Sequence, residues 1–222
     1  MIEHHVAALF VHDQHGRLLT VNEPGGGAAP RFYLGRTDKG IIWRYRNDLD
    51  HSIAAELNAL CKRERQAGSL PEPQYSKEYE KLLPDGRISM GPAFVFPEHP
   101  AAPKREVLEV TDENKHVLGG GLDAWVVDLE RGTRLFVVMV DAQAVSVCAS
   151  VRETLHCHEA GVETLNEYRG RGYAADVASA WANKLISSKL VPLYSTSWEN
   201  ISSLNVAKKL GLRMYAVDFQ IQ

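Results

Sequence analysis

Residues 161–174 read GVETLNEYRGRGYA, from Gly161 through the Arg169-Gly170-Arg171-Gly172 turn to Ala174. Upstream, His158 to Leu165 has strand character. Downstream, Ala174, Val177, Ala178, Trp181 and Leu185 recur at helical spacing and make one buried stripe. The reading is strand, glycine turn, helix. Glycines at such a turn let successive backbone N–H groups come close to a ligand, and the start of the helix adds partial positive charge, so phosphate is the natural guest. Arg169 and Arg171 strengthen that reading, because guanidinium groups favour phosphate oxygens. No Gly-Lys-Ser/Thr follows, so this is not a P-loop, and the spacing is not that of a dinucleotide fingerprint either. The plainer alternative is a tight turn with packing glycines.

Around that stretch the second half alternates regularly. Glu106–Thr111 reads as a strand, and a helical region interrupted by Gly119-Gly120-Gly121 runs to about Leu129. Leu135–Val140 (LFVVMV) is an apolar strand buried on both faces, turning through Asp141-Ala142-Gln143 into Ala144–Val151. Pro192–Thr196 is a strand, Asn200 opens a helix that Gly211 stops, and Arg213–Ile221 closes the sheet. In the first half, Val6–Val11 and Arg17–Val21 flank a turn and read as a hairpin, Gly40–Tyr45 as a strand, and Leu49–Arg65 and Tyr75–Leu83 as helices. Pro97, Pro100 and Pro103 mark a linker, dividing the chain into an N-terminal α/β domain, 1–103, and a second domain, 104–222.

Composition bounds the function classes. The chain has 222 residues, 45% hydrophobic and 24% charged, which excludes disordered, collagen-like and coiled-coil classes. With 25 Lys plus Arg against 28 Asp plus Glu the net charge is -3, and without a basic stripe no nucleic-acid partner is expected. No apolar run reaches the roughly 18 residues of a membrane span, and MIEHHVAALFVHD has no signal-peptide pattern. With an odd cysteine count (Cys61, Cys148, Cys157), a reducing cytoplasmic setting with free thiols is expected.

The segment GVETLNEYRGRGYA resembles the acyl-CoA-binding motif of the GNAT superfamily of N-acetyltransferases, whose Arg/Gln-x-x-Gly-x-Gly/Ala signature is met by Arg169, Gly172 and Ala174. NISSLNVAKKLGL resembles the family's second motif through Asn200, Ser203, Gly211 and Leu212, and MVDAQAVSVC matches its second and third strands in layout. The resemblance covers 104–222. It implies an α/β fold with a mixed sheet, acetyl-CoA as acyl donor and no metal. It also implies a small amine or amino-acid-like acceptor attacking directly, in a monomer or homodimer. The backbone of Val162, Glu163 and Thr164 would pair with the pantetheine amides. The N–H groups of Arg169, Gly170, Arg171, Gly172, Tyr173 and Ala174 would cradle the pyrophosphate, with Asn200 and Ser203 beside the pantetheine arm. Asn200 is equally a good helix N-cap and Ser203 a routine first-turn residue.

Catalytic roles follow from the same resemblance. Family members commonly carry a tyrosine acid seven residues after the asparagine; here that place is Ala207, leaving Tyr194, Ser197 and Tyr215 as alternative hydroxyls. The base is commonly a carboxylate or histidine on the strand entering the CoA motif, where this chain offers His158, Glu159 and Glu163. His158 occupies the place resembling the family's base, and the His158–Glu159 pair is preferred over Glu163. Strand alternation puts His158 on the face opposite both glutamates unless a bulge intervenes. The alternative function is a non-catalytic acyl-CoA-binding module. Zinc or nucleophile readings of Cys148, His156, Cys157 and His158 give way to buried cysteines acting as small hydrophobes. The histidines His4, His5, His12 and His15 read as solvated.

Overall fold

The computed structural model describes residues 1–66 and 71–222. These form two compact units that do not follow the chain in order: Met1–Phe94 with Ser195–Asn200 and Met214–Gln222, and Val95–Tyr194 with Ile201–Arg213.

The first unit opens with helix α1 (Ile2–Leu9), where the sequence reads as a strand from Val6. His5, Val6, Ala8 and Leu9 are buried, and Val6 and Leu9 pack with Phe10, Leu18, Tyr33 and Ile42. Only Phe10–His12 (β1) is extended, paired antiparallel with β2 (Leu18–Val21). The apolar run is too short for its period to choose between helix and strand, and burial against these partners decides. Strands β3 (Phe32–Arg36) and β4 (Ile41–Tyr45) form an antiparallel hairpin. Helix α2 (His51–Cys61) starts at Asp50, whose carboxylate accepts from the N–H groups of Ser52 and Ile53. Helix α3 (Ser76–Leu82) and strand β5 (Ile88–Val95) follow. The chain's last strand, β11 (Arg213–Ile221), pairs antiparallel with β3, so it continues the sheet of the N-terminal segment in the order β4-β3-β11-β5. His5 is fully buried rather than solvated: its Nε2 lies 2.7 Å from Asp218 Oδ2, while Tyr33 donates to Asp218 Oδ1 at 2.7 Å.

The second unit holds β6 (Leu108–Val110), β7 (Leu135–Val140), β8 (Gln143–Glu153), β9 (Cys157–Thr164) and β10 (Val191–Ser195), in the order β10-β9-β8-β7-β6. The β9–β10 pair is parallel and the others antiparallel, giving a mixed sheet. One face is covered by helix α5 (Tyr173–Ser187), which packs on β7, β8 and β9. The other face carries Leu118 and Leu122 from short 3-10 turns, with Trp125, Val126 and Leu129 leading into helix α4 (Val126–Glu130). Helix α6 (Ile201–Lys209) completes the unit. Trp181 anchors α5: it is fully buried, stands edge-on to Phe96 at 5.8 Å, and donates its indole N–H to Ser150 Oγ at 3.0 Å.

Trp181→Ala empties the largest buried side-chain site of this unit and is expected to cost about 3–5 kcal/mol. Trp181→Phe keeps most of the volume, loses the Ser150 hydrogen bond, and should cost about 1 kcal/mol beyond the repacking. Urea unfolding followed by far-ultraviolet circular dichroism measures both, and equal midpoints for the two variants would contradict the packing account.

Candidate functional site

Strand β9 is laddered to β8 along its length, from His158 opposite Glu153 to Thr164 opposite Ser146. Its ladder with β10 has three rungs only, Cys157–Val191, His158–Pro192 and Glu159–Leu193. Both strands run on past that point, so the edge of β9 over Ala160–Thr164 leaves the β10 ladder. Val162, Glu163 and Thr164 therefore lie on a strand edge that can bond an extended guest through its main chain. At the end of this edge the chain turns through Asn166–Tyr168 and enters α5.

That turn forms an uncapped helix start. Gly170 and Gly172 have φ of 77° and 90°, a left-handed backbone that side-chain-bearing residues adopt at a cost. Gly172 is the N-cap of α5, and the helix start has no side-chain cap. Ala175 and Asp176 donate their N–H groups back to Gly172 O, while Tyr173 and Ala174 occupy the first two helical positions, whose N–H groups have no intrahelical acceptor. An added Cβ on Gly172 would meet Lys209 Nζ and lie 3.8 Å from Arg105 Nη1. Arg105 is fixed there by Asp176 Oδ2 at 2.5 Å and by Arg171 O at 3.0 Å, and its guanidinium lies over the Tyr173 ring, 4.7 Å from the centroid. Arg169 donates to Thr164 O at 3.1 Å, and Arg171 covers the Tyr168 ring at 5.4 Å.

The three base candidates divide as alternation requires. The register shift in the β8–β9 pair falls between Ser150 and Arg152, so the extra residue is on β8 and β9 keeps its period. His158 Nδ1 lies 2.9 Å from Ser150 Oγ, the hydroxyl that also receives the Trp181 indole, so His158 shares the α5 face. Burial holds its pKa below 6.5 against the opposing pull of Glu153 and the Thr154 carbonyl. Glu159 points the other way, is 2% exposed, and sits directly across the ladder from Arg152. Glu163 is on the same face as Glu159 but exposed, and accepts the Trp125 indole N–H at 2.6 Å. The three residues thus do not form one cluster.

Of the alternative hydroxyls, Tyr194 is the one in the same unit as β9. It is buried next to the end of the β9–β10 ladder, 2.5 Å from Ser203 Oγ. Burial raises its pKa, opposed by the Ser203 hydrogen bond and aided by the nearby Glu159. Ser203 stands one turn before Ala207 on α6, and Ala207 is buried. Tyr215 instead packs edge-on to His5, 5.7 Å between ring centroids, and Ser197 also falls in the first unit. Asn200 directly precedes α6 and donates its backbone N–H to Ser197 O at 3.1 Å. Cys148 and Cys157 are buried with thiol pKa values raised by that burial, the opposite of a reactive thiolate.

Residues 130–216 match the GNAT acetyltransferase family. The chain carries a GNAT acetyltransferase domain. Its fold is similar to that of a GCN5-related N-acetyltransferase-like protein from Streptococcus suis, at 17% identity and TM-score 0.51 over 87% of this chain and 85% of that one. It is similar also to a GNAT-family acetyltransferase from Colwellia psychrerythraea, at 14% identity and TM-score 0.52 over 85% and 81%. A GNAT-family protein from Novosphingobium aromaticivorans matches at 18% identity and TM-score 0.50, over 61% of this chain and 64% of that one. No curated protein sequence matches the chain.

In the second unit, Lys209 and Arg105 stand beside the start of α5, and sequence reasoning missed both. They stand 37 and 67 positions from Gly172, and although Lys209 lies within the NISSLNVAKKLGL segment, only the chain's path brings either residue to the helix start. Asp176 was the available signal, an acidic residue in the first turn of a helix. A cation at a helix N-terminus opposes the helix dipole, so Lys209→Ala should leave unliganded stability unchanged or raise it by roughly 0.3–1 kcal/mol at low salt. Gly172→Ala should lower it by about 1–2 kcal/mol, the cost of left-handed backbone. Thermal melts of the two variants at low salt check both signs.

Proposed function

We propose that the GNAT domain is an acetyl-CoA-dependent N-acetyltransferase acting on the primary amine of a small molecule or amino-acid-like acceptor. The observation that carries this reading is the unladdered edge of β9 leading straight into the uncapped, cation-flanked start of α5. Acetyl-CoA fits that track: a chain of amides followed by a pyrophosphate asks for main-chain partners and then for N–H donors with positive charge. The edge Val162–Thr164 would take the amides, the 169–174 turn with Lys209 and Arg105 the pyrophosphate, and Ser203 the arm. Bound there, it supplies an acetyl group activated as a thioester.

The acceptor amine arrives protonated at neutral pH and must give up a proton before it can attack the thioester carbonyl. His158 suits that task better than its neighbours. Its depressed pKa keeps it neutral at pH 7, and Ser150 can accept a bond from Nδ1–H as well as from Trp181, which leaves Nε2 to take the proton. Glu159 stands across the ladder from Arg152, and Glu163 holds Trp125. Departure of the thiolate, whose parent thiol has a pKa near 8.5, needs one hydrogen-bond donor. Tyr194, kept protonated by burial and relayed through Ser203, fills the role left by Ala207. That alanine also supports a second reading, an acyl-CoA-binding module without turnover.

Acetyl-CoA should raise the melting temperature of the protein, and Gly172→Asp should abolish the shift by placing a carboxylate where the pyrophosphate lies. Thiol release on mixing with pools of primary amines then separates the two readings: binding without release for every pool would leave the module. For the enzyme, His158→Ala should cut kcat about 100-fold and remove the acidic limb of the pH profile. The sign follows from the folded-state pKa: turnover is full above it and falls as pH drops through a value below 6.5. Tyr194→Phe should lower kcat about tenfold with acetyl-CoA affinity kept. Wild-type kinetics in both variants would remove these assignments.

A further inference from the structure

Arg171 stands between the two left-handed glycines of the turn, Gly170 and Gly172, and its side chain is exposed. The guanidinium lies over the Tyr168 ring and makes no ion pair or side-chain hydrogen bond among the described residues. Resting on an aromatic face occupies none of a guanidinium's N–H donors, so its whole fork remains for an acceptor. Tyr168 and Tyr173 are neighbours, 6.3 Å between ring centroids, and Arg105 covers Tyr173 as Arg171 covers Tyr168. A guanidinium plane on each of these adjoining rings makes a basic, aromatic patch beside the turn.

A strap of chain, Ala101–Arg105, holds the patch from outside the turn. Ser179 Oγ donates to Ala101 O, Lys104 N to Asp176 Oδ1 at 2.9 Å, and Arg105 to Asp176 Oδ2 at 2.5 Å, all along the first turns of α5. The other arm of the Arg105 guanidinium donates to Arg171 O at 3.0 Å, which fixes the main chain from which the Arg171 side chain leaves. Arg105 lies outside residues 130–216, the stretch that matches the family, so this clamp is a feature of this chain. Charge decides which arginine is available. Arg105 and the buried Asp176 cancel, whereas Arg169, Arg171 and Lys209 form no ion pair among the described residues. Glu167, the acid closest to them in sequence, is exposed and pairs with none of them. A pyrophosphate in the turn carries one negative charge on each phosphate, so these cations outnumber it, and Arg171 is the one laid on a ring with its fork unused.

We infer that Arg171, clamped by Arg105 and laid on Tyr168, takes the 3′-phosphate on the adenosine end of coenzyme A, so that the protein selects 3′-phosphorylated CoA thioesters over donors with the same pantetheine arm and no such phosphate. The inference rests on the acetyl-CoA reading. In that ligand the adenosine is joined to the pyrophosphate, one ribose from the turn, and its 3′-phosphate is a monoester that is largely dianionic at neutral pH. A guanidinium fork meets such an oxygen set with paired N–H donors, and a fork already stacked on a ring loses little freedom on binding. Arg171 is the contact residue, and Arg105 acts through it as a positioning residue.

Isothermal titration of the full-length protein with CoA and with 3′-dephospho-CoA reads this selectivity directly. CoA should bind at least about tenfold more tightly, by a margin that shrinks with added salt. Arg171→Gln should bring the two affinities within about threefold, and should do so by weakening CoA. Arg105→Gln should narrow the margin about threefold. An equal loss for both ligands in that variant is what a merely structural role gives, and it overturns the positioning role. Equal affinities in the unaltered protein, or a margin that Arg171→Gln leaves intact, overturn the proposal while the acetyl-CoA reading stands. Absence of binding by both ligands overturns that reading, and the inference falls with it.

Discussion

Leu193 and Glu159 make the last rung between β9 and β10, and the whole arrangement of the GNAT domain turns on the ladder stopping there. A parallel pair that continued would have satisfied the edge of β9 through Thr164 and left nothing for a guest. Because it stops, main-chain donors and acceptors over Ala160–Thr164 remain to be met by something other than β10, and unmet backbone groups away from water are costly. The same stopping point leaves Tyr194 beyond the rungs, with its hydroxyl on Ser203. Helix α5 holds the other face of β9 in place through Trp181 and Ser150, and the same serine orients His158.

Charge is distributed to suit that opening. Arg105 is neutralised by Asp176 and stacked on Tyr173, so its guanidinium is a fixed part of the helix start. Lys209 adds a second cation at a helix end that already carries partial positive charge. Positive charge gathered at a helix N-terminus is unfavourable by itself, and a bound anion would offset it. The first unit solves a comparable problem differently. Its outer strand β4 also presents backbone groups outward, but there one arginine folds back onto a carbonyl and a short bridge from Leu18 closes the far end.

Much of this could be read before any coordinates. The RGRGYA turn, the apolar stripe of α5 and the LFVVMV strand depend on local periodicity and on glycine's backbone freedom, and the structure has α5 at Tyr173–Ser187 and β7 at Leu135–Val140. Alternation along β9 likewise places His158 opposite Glu159 and Glu163, because the one bulge of that pair lies in β8. Reading failed where local signals are short or remote. Residues 2–9 are helical rather than extended from Val6, since burial of Val6 and Leu9 against Leu18 and Tyr33 outweighs an ambiguous pattern. The final strand, which in sequence reads as closing the sheet of the second half, pairs with β3. His5, a surface residue by composition, is buried on Asp218.

The sequence by itself determined the glycine turn, the helix that follows it and the family likeness they carry, because each rests on residues within a few positions of one another. Tertiary structure alone decided that Lys209 and Arg105 stand at Gly172, that Tyr194 pairs with Ser203, and that β4 is an outer strand with an open edge. Those facts depend on which strands find partners and where the ladders end. Such pairings join residues tens to hundreds of positions apart, and hydrophobic period along the chain carries no record of them.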